Sequence, residues 1–220
     1  MNGDLRLGKI QVIAIVIGAS LLTIGFCFLV VKAFFEDSSS KMLTSKEKEA
    51  MYYEERLLIN PNDLSNAILL AWNYFEQGKL EDAIKQLEKV IVEDPSNIEA
   101  LFALGFVYFE NGLLDKSEDI YRQVIELEPL HDHAIHSLGI ILREKGNYEE
   151  SLKVLLQALD LIPFSADLNF DLALLYERMG MINEAIDHYK ISVNFIPDYD
   201  EALEGLGRLG VTNYQPVKYH

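Results

Sequence analysis

Residues 98–131 have the sequence IEALFALGFVYFENGLLDKSEDIYRQVIELEPLH, and residues 132–165 repeat its pattern at the same length. Two runs of apolar residues at helical spacing lie on either side of Gly112, and Pro129 closes the second run. Glycine adopts the left-handed backbone that ends a helix without steric cost, whereas proline lacks the amide hydrogen that a helix interior requires. The segment therefore predicts two helices joined by a short turn.

The same spacing of glycine and proline extends over most of the chain. Prolines recur every 34 residues, and a glycine lies 17 residues before each of the last four. The series consists of Pro61, Pro95, Pro129, Pro163 and Pro197, with Gly78, Gly112, Gly146 and Gly180. A fixed period of about 34 residues is typical of solenoids built from helix–turn–helix units. We therefore predict an all-α solenoid between Leu64 and Pro197.

Residue size within each repeat favours close packing of the helices. Small residues recur on the first and second helices: Ala71, Gly105, Gly139 and Ala173, then Ala83, Ser117, Ser151 and Ala185. Large apolar residues recur between them: Leu70, Leu104, Leu138 and Leu172, then Tyr74, Tyr108, Leu142 and Tyr176, then Leu87, Tyr121, Leu155 and Tyr189. Small residues opposite large ones at helical spacing predict ridges that pack into grooves.

This pattern resembles the tetratricopeptide repeat, in which Leu-Gly or Leu-Ala, then Tyr, then a small and an aromatic residue precede a proline. Leu104-Gly105, Tyr108, Ser117 and Tyr121 match that motif. The resemblance implies a right-handed α-solenoid of four helix pairs, at 64–97, 98–131, 132–165 and 166–199. Three positions depart from the motif: Ala67 and Asn169 replace a large residue, and Leu142 replaces the tyrosine.

Partial repeats are expected at both ends of the solenoid, because its outermost units have no neighbour. A capping helix is predicted at 44–60, where Thr44 and Glu47 match a capping box. A second cap helix is predicted at 200–210, followed by a flexible tail at 211–220.

The N-terminal residues differ in character from the repeats. Residues 10–31 contain no charged side chain and are long enough for a transmembrane helix, between a tail at 1–9 and a polar linker at 32–43. A cleaved secretory signal ending near Ala33 is the alternative. The prediction is a single-pass membrane protein that contacts the lipid bilayer through 10–31. Arg6 and Lys9 favour extracytoplasmic repeats (the periplasmic side in a bacterium), and a cytosolic orientation stays open.

Charge and motif content restrict the class of function. The chain has a formal net charge of −16 and no basic stripe, which argues against nucleic acid and favours partners with apolar or basic segments. No phosphate loop, nucleophile elbow or His-Glu-x-x-His helix is present in the sequence. We therefore predict no enzyme activity, no catalytic residues, no cofactor and no metal site.

The resemblance also implies a concave groove, lined by the first helices, that binds a peptide or a helix. The residues expected to line it are Ile68, Trp72, Phe75, Phe102, Phe106, Phe109, His133, His136, Ile140, Arg143, Phe170, Leu174 and Glu177. The half nearest the N-terminus is expected to be aromatic and the far half polar. Packing of these residues inside the solenoid is the alternative.

Two narrower interpretations of the groove are disfavoured. Chaperone-binding members of the family hold a carboxylate with Lys, Asn and Arg side chains, and the matching positions here are Ile68, Trp72, Ala103, His133 and Ser137. The histidines at 131, 133 and 136 lack a Cys–His spacing or an evident carboxylate partner, so we interpret them as polar groove residues.

The predicted function is a membrane-anchored adaptor that binds a protein or peptide segment in its groove and aids assembly of a membrane or envelope complex. The alternative is a structural protein that self-associates into a membrane-attached oligomer or coat.

Overall fold

The computed structural model describes residues 43–216. In this range the backbone forms ten α-helices and no strand, which confirms the prediction of an all-α solenoid. In chain order the helices are α1 (Ser45–Ile59), α2 (Leu64–Glu76), α3 (Leu80–Glu93), α4 (Ile98–Glu110), α5 (Leu114–Leu127), α6 (Asp132–Glu144), α7 (Tyr148–Leu161), α8 (Ala166–Met179), α9 (Ile182–Phe195) and α10 (Asp200–Arg208). A compact unit begins at Glu49, and the packing described below is within it.

Each first helix ends at one of the periodic glycines and begins at a side-chain cap. Gly180 follows α8 with φ of 75°, a left-handed conformation in which a larger side chain would be strained. At the start of α4, the Asn97 side chain accepts a hydrogen bond of 3.0 Å from the backbone amide of Ala100. These caps satisfy backbone groups that a helix terminus leaves without partners, so the turns stop each helix at a defined residue.

The capping box at the start of α1 is confirmed. The Thr44 amide donates to Glu47 Oε2 at 2.7 Å, and the Glu47 amide donates to Thr44 Oγ1 at 3.2 Å. Two of the backbone amides that lack an intrahelical partner at this terminus are therefore satisfied by the pair.

The core lies between the helices as a series of layers, one at each junction. Each second helix packs against the first helix of its own pair and against the first helix of the next pair. Tyr121 and Tyr189, both predicted core residues, are among the largest fully buried side chains. The small residues opposite them determine how closely the helices approach. A Cβ atom on Gly205 would lie 2.5 Å from Cζ of Tyr189, closer than two non-bonded carbons can sit.

Hydrogen bonds join the two helices of the central pairs. Ser117 Oγ donates to the carbonyl oxygen of Gly105 at 2.6 Å, and Ser151 Oγ donates to that of Gly139 at 2.6 Å. In the first and fourth pairs alanine occupies the serine position, so this bond is confined to the middle of the stack.

The two positions that lack the usual large residue have different surroundings. Ala67 borders a cleft of about 360 Å³ between the end of α1, α2 and α3. Asn169, in contrast, is buried, and its side chain bonds to the Ser165 carbonyl at 2.8 Å and to Nδ1 of His188 at 2.9 Å. The first departure leaves space unfilled, and the second places a satisfied polar pair inside the core.

The C-terminal residues differ from the flexible tail that was predicted. Val211 and Tyr214 pack against the apolar cluster formed by α8, α9 and α10. The Tyr214 hydroxyl also donates to Asn194 Oδ1 at 3.0 Å. The chain is therefore held against the solenoid at least as far as Tyr214.

The predicted localisation as a single-pass membrane protein is wrong for the part of the chain that the structure describes. No helix between residues 43 and 216 is both long and apolar enough to cross a bilayer. The longest of them, α1, has 15 residues, whereas a span needs about 20. The predicted transmembrane helix at 10–31, its tail at 1–9 and the linker residues 32–42 lie outside the described residues.

Candidate functional site

The first helices of the pairs, α2, α4, α6 and α8, carry all of the predicted groove residues. Within the stack, α2 contacts α4 and α6 contacts α8. Between these two junctions, Phe109 on α4 and Ile140 on α6 border one cleft. The first helices therefore form one side of the stack. We call this side the first-helix face.

An aromatic cluster crosses the first-helix face between the first two repeats. Trp72 and Phe75 lie three residues apart on α2 and therefore share one side of the helix. Phe106 on α4 stands one period after Trp72 and contacts both rings, with ring centroids 5.7 Å from Trp72 and 5.1 Å from Phe75. All three side chains are half-buried. The cluster is therefore anchored in the solenoid while part of each ring stays accessible.

An apolar cleft of about 100 Å³ continues from this cluster toward the third repeat. Three predicted groove residues, Phe106, Phe109 and Ile140, line it. Tyr121, Ser137 and Ile141 complete the lining. An enclosed apolar cavity of about 150 Å³ is known to hold benzene. This open cleft therefore has room for the end of one aliphatic side chain.

Tyr121 is buried beneath the cleft and limits its depth. Burial raises the pKa of its hydroxyl to about 12, although a hydrogen bond with the Ser137 side chain opposes the shift. Tyr121 is thus neutral at any ordinary pH. Its ring also contacts Phe102, with ring centroids 5.5 Å apart.

The far half of the face contains a charged network. Arg143 Nη1 donates to Asp171 Oδ1 at 2.7 Å and to the Asp171 carbonyl at 3.2 Å. Nε2 of His136 lies 2.7 Å from the other carboxylate oxygen, Oδ2. The three side chains are only 9–15 % exposed, so this network is largely shielded from water. A shielded and fully partnered network holds its side chains in one arrangement.

Asp171 is the residue of this network that sequence reasoning missed. It lies on α8 between Phe170 and Leu172, and the equivalent positions in the second and third repeats are Ala103 and Ser137. A carboxylate at a position that is small in the two preceding repeats was the available signal. One period separates it from Ser137, which itself follows His136 directly.

The three neighbouring histidines have different main contacts. His131 accepts a hydrogen bond from the Ala134 amide through Nδ1 at 3.2 Å and stacks on Phe102 at 5.2 Å. His136 contacts Asp171, while His133 is exposed. Among residues 43–216, no three His, Cys, Asp or Glu side chains are grouped closely enough to hold a metal ion.

The remaining predicted residues are distributed between core and surface. Phe170 contacts Tyr199 at 5.1 Å, and Leu174 packs in the same terminal cluster. Glu177 accepts a hydrogen bond from Arg208 at 3.2 Å. Ile68 departs from the prediction, because it is only 2 % exposed and packs within the core of the first two repeats.

Comparison with protein families agrees with the sequence pattern. A model described as TPR repeat matches residues 73–112 and 139–180. A second model, described as tetratricopeptide repeat, matches residues 98–129. No curated protein sequence matches the chain.

Solved structures share the fold. A crystal structure of MamA superposes with a TM-score of 0.62 at 22 % identity, covering 70 % of this chain and 95 % of that one. MamA from Desulfovibrio magneticus RS-1 gives 0.61 at 20 % identity, with 74 % and 84 % covered. YrrB, described as a TPR protein with an unusual peptide-binding site, gives 0.58 at 18 % identity, with 74 % and 87 % covered. Residues 73–129 and 139–180 therefore match tetratricopeptide repeats, and the described residues 43–216 stack as an all-α solenoid.

Proposed function

We propose that this protein is an interaction scaffold that binds an apolar segment of a partner protein on its first-helix face. The observation that carries the proposal is the aromatic cluster of Trp72, Phe75 and Phe106, which opens into the cleft beside Phe109 and Ile140. Adjoining apolar side chains that remain accessible on a protein surface commonly mark interaction sites. Tetratricopeptide proteins are in general non-enzymatic scaffolds, which agrees with this proposal.

Binding would replace water on the accessible part of these rings by side chains of the partner. A partly buried aromatic ring supports such binding, because the protein has already lost most of the ring's conformational freedom on folding. The cleft would receive one aliphatic side chain of the partner, and the cluster would contact its neighbours. The first-helix face would thus select a segment with adjacent apolar residues.

The charged network would determine which segments are accepted next to those apolar residues. Arg143 and His136 are both directed at Asp171, so they are not free to form new ion pairs without breaking that network. An acidic group placed there by a partner would also meet the Asp171 carboxylate. With a formal net charge of −16 over the chain, the proposed partner segment is apolar with neutral or basic flanks.

The solved structures support a role in binding other proteins, and they do not identify the partner. YrrB is described as having a peptide-binding site, and its fold matches this one with a TM-score of 0.58. By analogy, the scaffold would hold partner proteins together during assembly of a complex.

A peptide library displayed on phage and selected against the full chain would test the proposal. The affinity of a selected peptide should fall by at least about tenfold with Phe106→Ser, because an aromatic anchor supplies a large share of binding energy. Val92→Ser is the matched control, since Val92 is 77 % exposed on α3 and lies outside the first-helix face. Equal affinities for both variants would contradict the proposal.

Self-association is a second candidate function, favoured by one observation. Leu58 and Ile59 at the end of α1 are 84 % and 78 % exposed, adjacent apolar side chains that a second copy would cover. Sedimentation velocity of the full chain at micromolar concentration should then show a dimer that Leu58→Gln converts to monomer. A monomer in both proteins would rule this function out.

A further inference from the structure

Exposed apolar side chains recur where one repeat passes into the next. They lie at the end of each second helix from α5 onward and in the turn that follows it: Leu127, Leu130, Leu161, Phe164, Phe195 and Ile196. We call this set the turn ridge. Leu130 and Phe164 are its most accessible members, 72 % and 81 % exposed.

The ridge is continuous because each turn lies beside the end of the following second helix. Phe164, in the turn after α7, contacts Phe195 at the end of α9 with ring centroids 6.1 Å apart. Gln123 near the end of α5 similarly donates to the carbonyl oxygen of Pro95 at 3.3 Å. The repeat relates Leu130 and Leu161 in the same way as Phe164 and Phe195. Successive apolar pairs therefore follow one another along one edge of the stack.

This edge is separate from the aromatic cluster and its cleft. The cleft residues Phe106 and Phe109 lie near the C-terminal end of α4, which leads through the glycine turn into α5. The ridge lies at the opposite end of the second helices, each of which has 14 residues and a length of about 20 Å. A partner on the ridge would leave the cleft open.

The charge around the ridge has one sign. The three stretches 123–136, 157–170 and 191–204, which contain the ridge and its flanks, include no lysine or arginine. They contain nine acidic residues: Glu126, Glu128, Asp132, Asp160, Asp167, Asp198, Asp200, Glu201 and Glu204. All except Asp132 are exposed. An apolar strip between carboxylates is complementary to a segment with apolar and basic residues.

We propose that the turn ridge binds a basic amphipathic segment of a partner protein. Apolar side chains of that segment pack against Leu130, Leu161, Phe164 and Phe195, and its lysines or arginines face the surrounding carboxylates. A second copy of this chain fits less well, because it would bring a second set of carboxylates against the first. The ridge is additional to the proposed first-helix face and does not depend on it, so one solenoid can hold two partners.

The probe is a fluorescein-labelled peptide of leucine and lysine, about four helical turns long, with leucines on one side of the helix. Its binding to the full chain is measured by fluorescence anisotropy. A scrambled peptide of the same composition separates amphipathic recognition from general attraction to an acidic protein. A leucine–glutamate peptide of the same pattern tests the charge requirement.

Leu130→Gln combined with Phe164→Gln is the test variant, since both side chains are exposed and their loss leaves the core intact. Ile182→Gln is the matched control: Ile182 is 43 % exposed at the other end of α9 from Phe195. Phe106→Ser reports on the first-helix face. We expect the double variant to weaken binding of the leucine–lysine peptide by about tenfold or more. Ile182→Gln should leave its binding unchanged, and Phe106→Ser measures any share of the probe that binds the first-helix face.

Each of the following results would overturn the proposal. Unchanged affinity in the double variant would show that the probe binds elsewhere, and a loss in Phe106→Ser alone would place it on the first-helix face. If the scrambled peptide bound as tightly as the leucine–lysine peptide, the amphipathic pattern would have no role. If the leucine–glutamate peptide did so, the basic charge would have no role. A dimer of the full chain that the double variant abolishes would identify a second copy as the occupant.

Discussion

Replacing either of two glycines on one helix by alanine is expected to change the stability of the protein in opposite directions. Gly205 and Gly207 both lie in α10. A Cβ atom on Gly205 would lie 2.5 Å from Cζ and 2.8 Å from both Cε atoms of Tyr189, a fully buried ring. A Cβ atom on Gly207 would meet nothing within 4 Å. The pair therefore separates the effect of helix propensity from the effect of packing.

The expected magnitudes follow from these distances. Alanine is favoured over glycine in a helix by about 0.8–1.0 kcal/mol, so Gly207→Ala should stabilise the protein by up to that amount. Gly205→Ala has the same gain but must displace a ring that has no free end, and overpacking of this kind costs about 1–3 kcal/mol. The gain from propensity cancels between the two variants. Gly205→Ala should therefore be less stable than Gly207→Ala by about 1–3 kcal/mol.

Urea unfolding of the full chain, followed by circular dichroism, measures this difference. With a slope of about 2 kcal/mol per M, a difference of 2 kcal/mol separates the midpoints by about 1 M. Because α10 is the last helix of the stack, hydrogen exchange at the Leu206 amide serves as a local measurement. Exchange there should accelerate in Gly205→Ala and slow in Gly207→Ala. Equal midpoints and equal exchange rates would refute the close approach of α10 to Tyr189.

Three other predictions concern buried or half-buried positions. Ala67→Leu should fill part of the adjacent cleft and raise the free energy of unfolding by about 1 kcal/mol. Thermal unfolding measures the change, and an unchanged or lowered stability would contradict the presence of the open cleft. Burial lowers the pKa of His188 from 6.5, so the unfolded chain binds its proton at higher pH than the folded one. The stability that this neutral histidine contributes is complete above about pH 6.5 and is lost as pH falls toward the lowered pKa. His188→Gln should flatten that part of the curve of stability against pH. An unchanged slope would contradict the lowered pKa of His188. Asp171→Asn should cost about 2 kcal/mol in urea unfolding, because it leaves the charge of Arg143 shielded from water with a weaker partner, and a loss below about 0.5 kcal/mol would show that the network contributes little.

The helical architecture was predictable because period, turn chemistry and residue size agree with one another at every repeat. Gly180 and Pro197 limit a helix pair by backbone chemistry alone, and these effects need no knowledge of the partner helix. Fully buried Leu172 and Tyr189 were identified for the same reason, since the repeat fixes which side of each helix faces its neighbour.

The candidate site was less predictable because it depends on contacts between repeats. Helical phase placed Ile68 on the same side of α2 as Trp72, but the packing of the first two repeats covers Ile68. The role of Asp171 required knowing that Arg143 and His136 reach it from the preceding repeat, 28 and 35 residues away. Neither fact follows from the pattern within one repeat.

The serine bonds of the central pairs imply that the solenoid does not open uniformly. Ser117 and Ser151 tie the helices of the second and third repeats together, while the first repeat lacks such a bond and also borders the unfilled cleft. Local unfolding should thus start at the N-terminal repeat and halt where Ser117 begins to protect the amides. Trp72 and Phe106 stand on opposite sides of that limit. A ligand that contacts both rings would slow the fluctuations of the first repeat. Ligand binding to the first-helix face would therefore be detected as slower hydrogen exchange of the amides along α2 and α3.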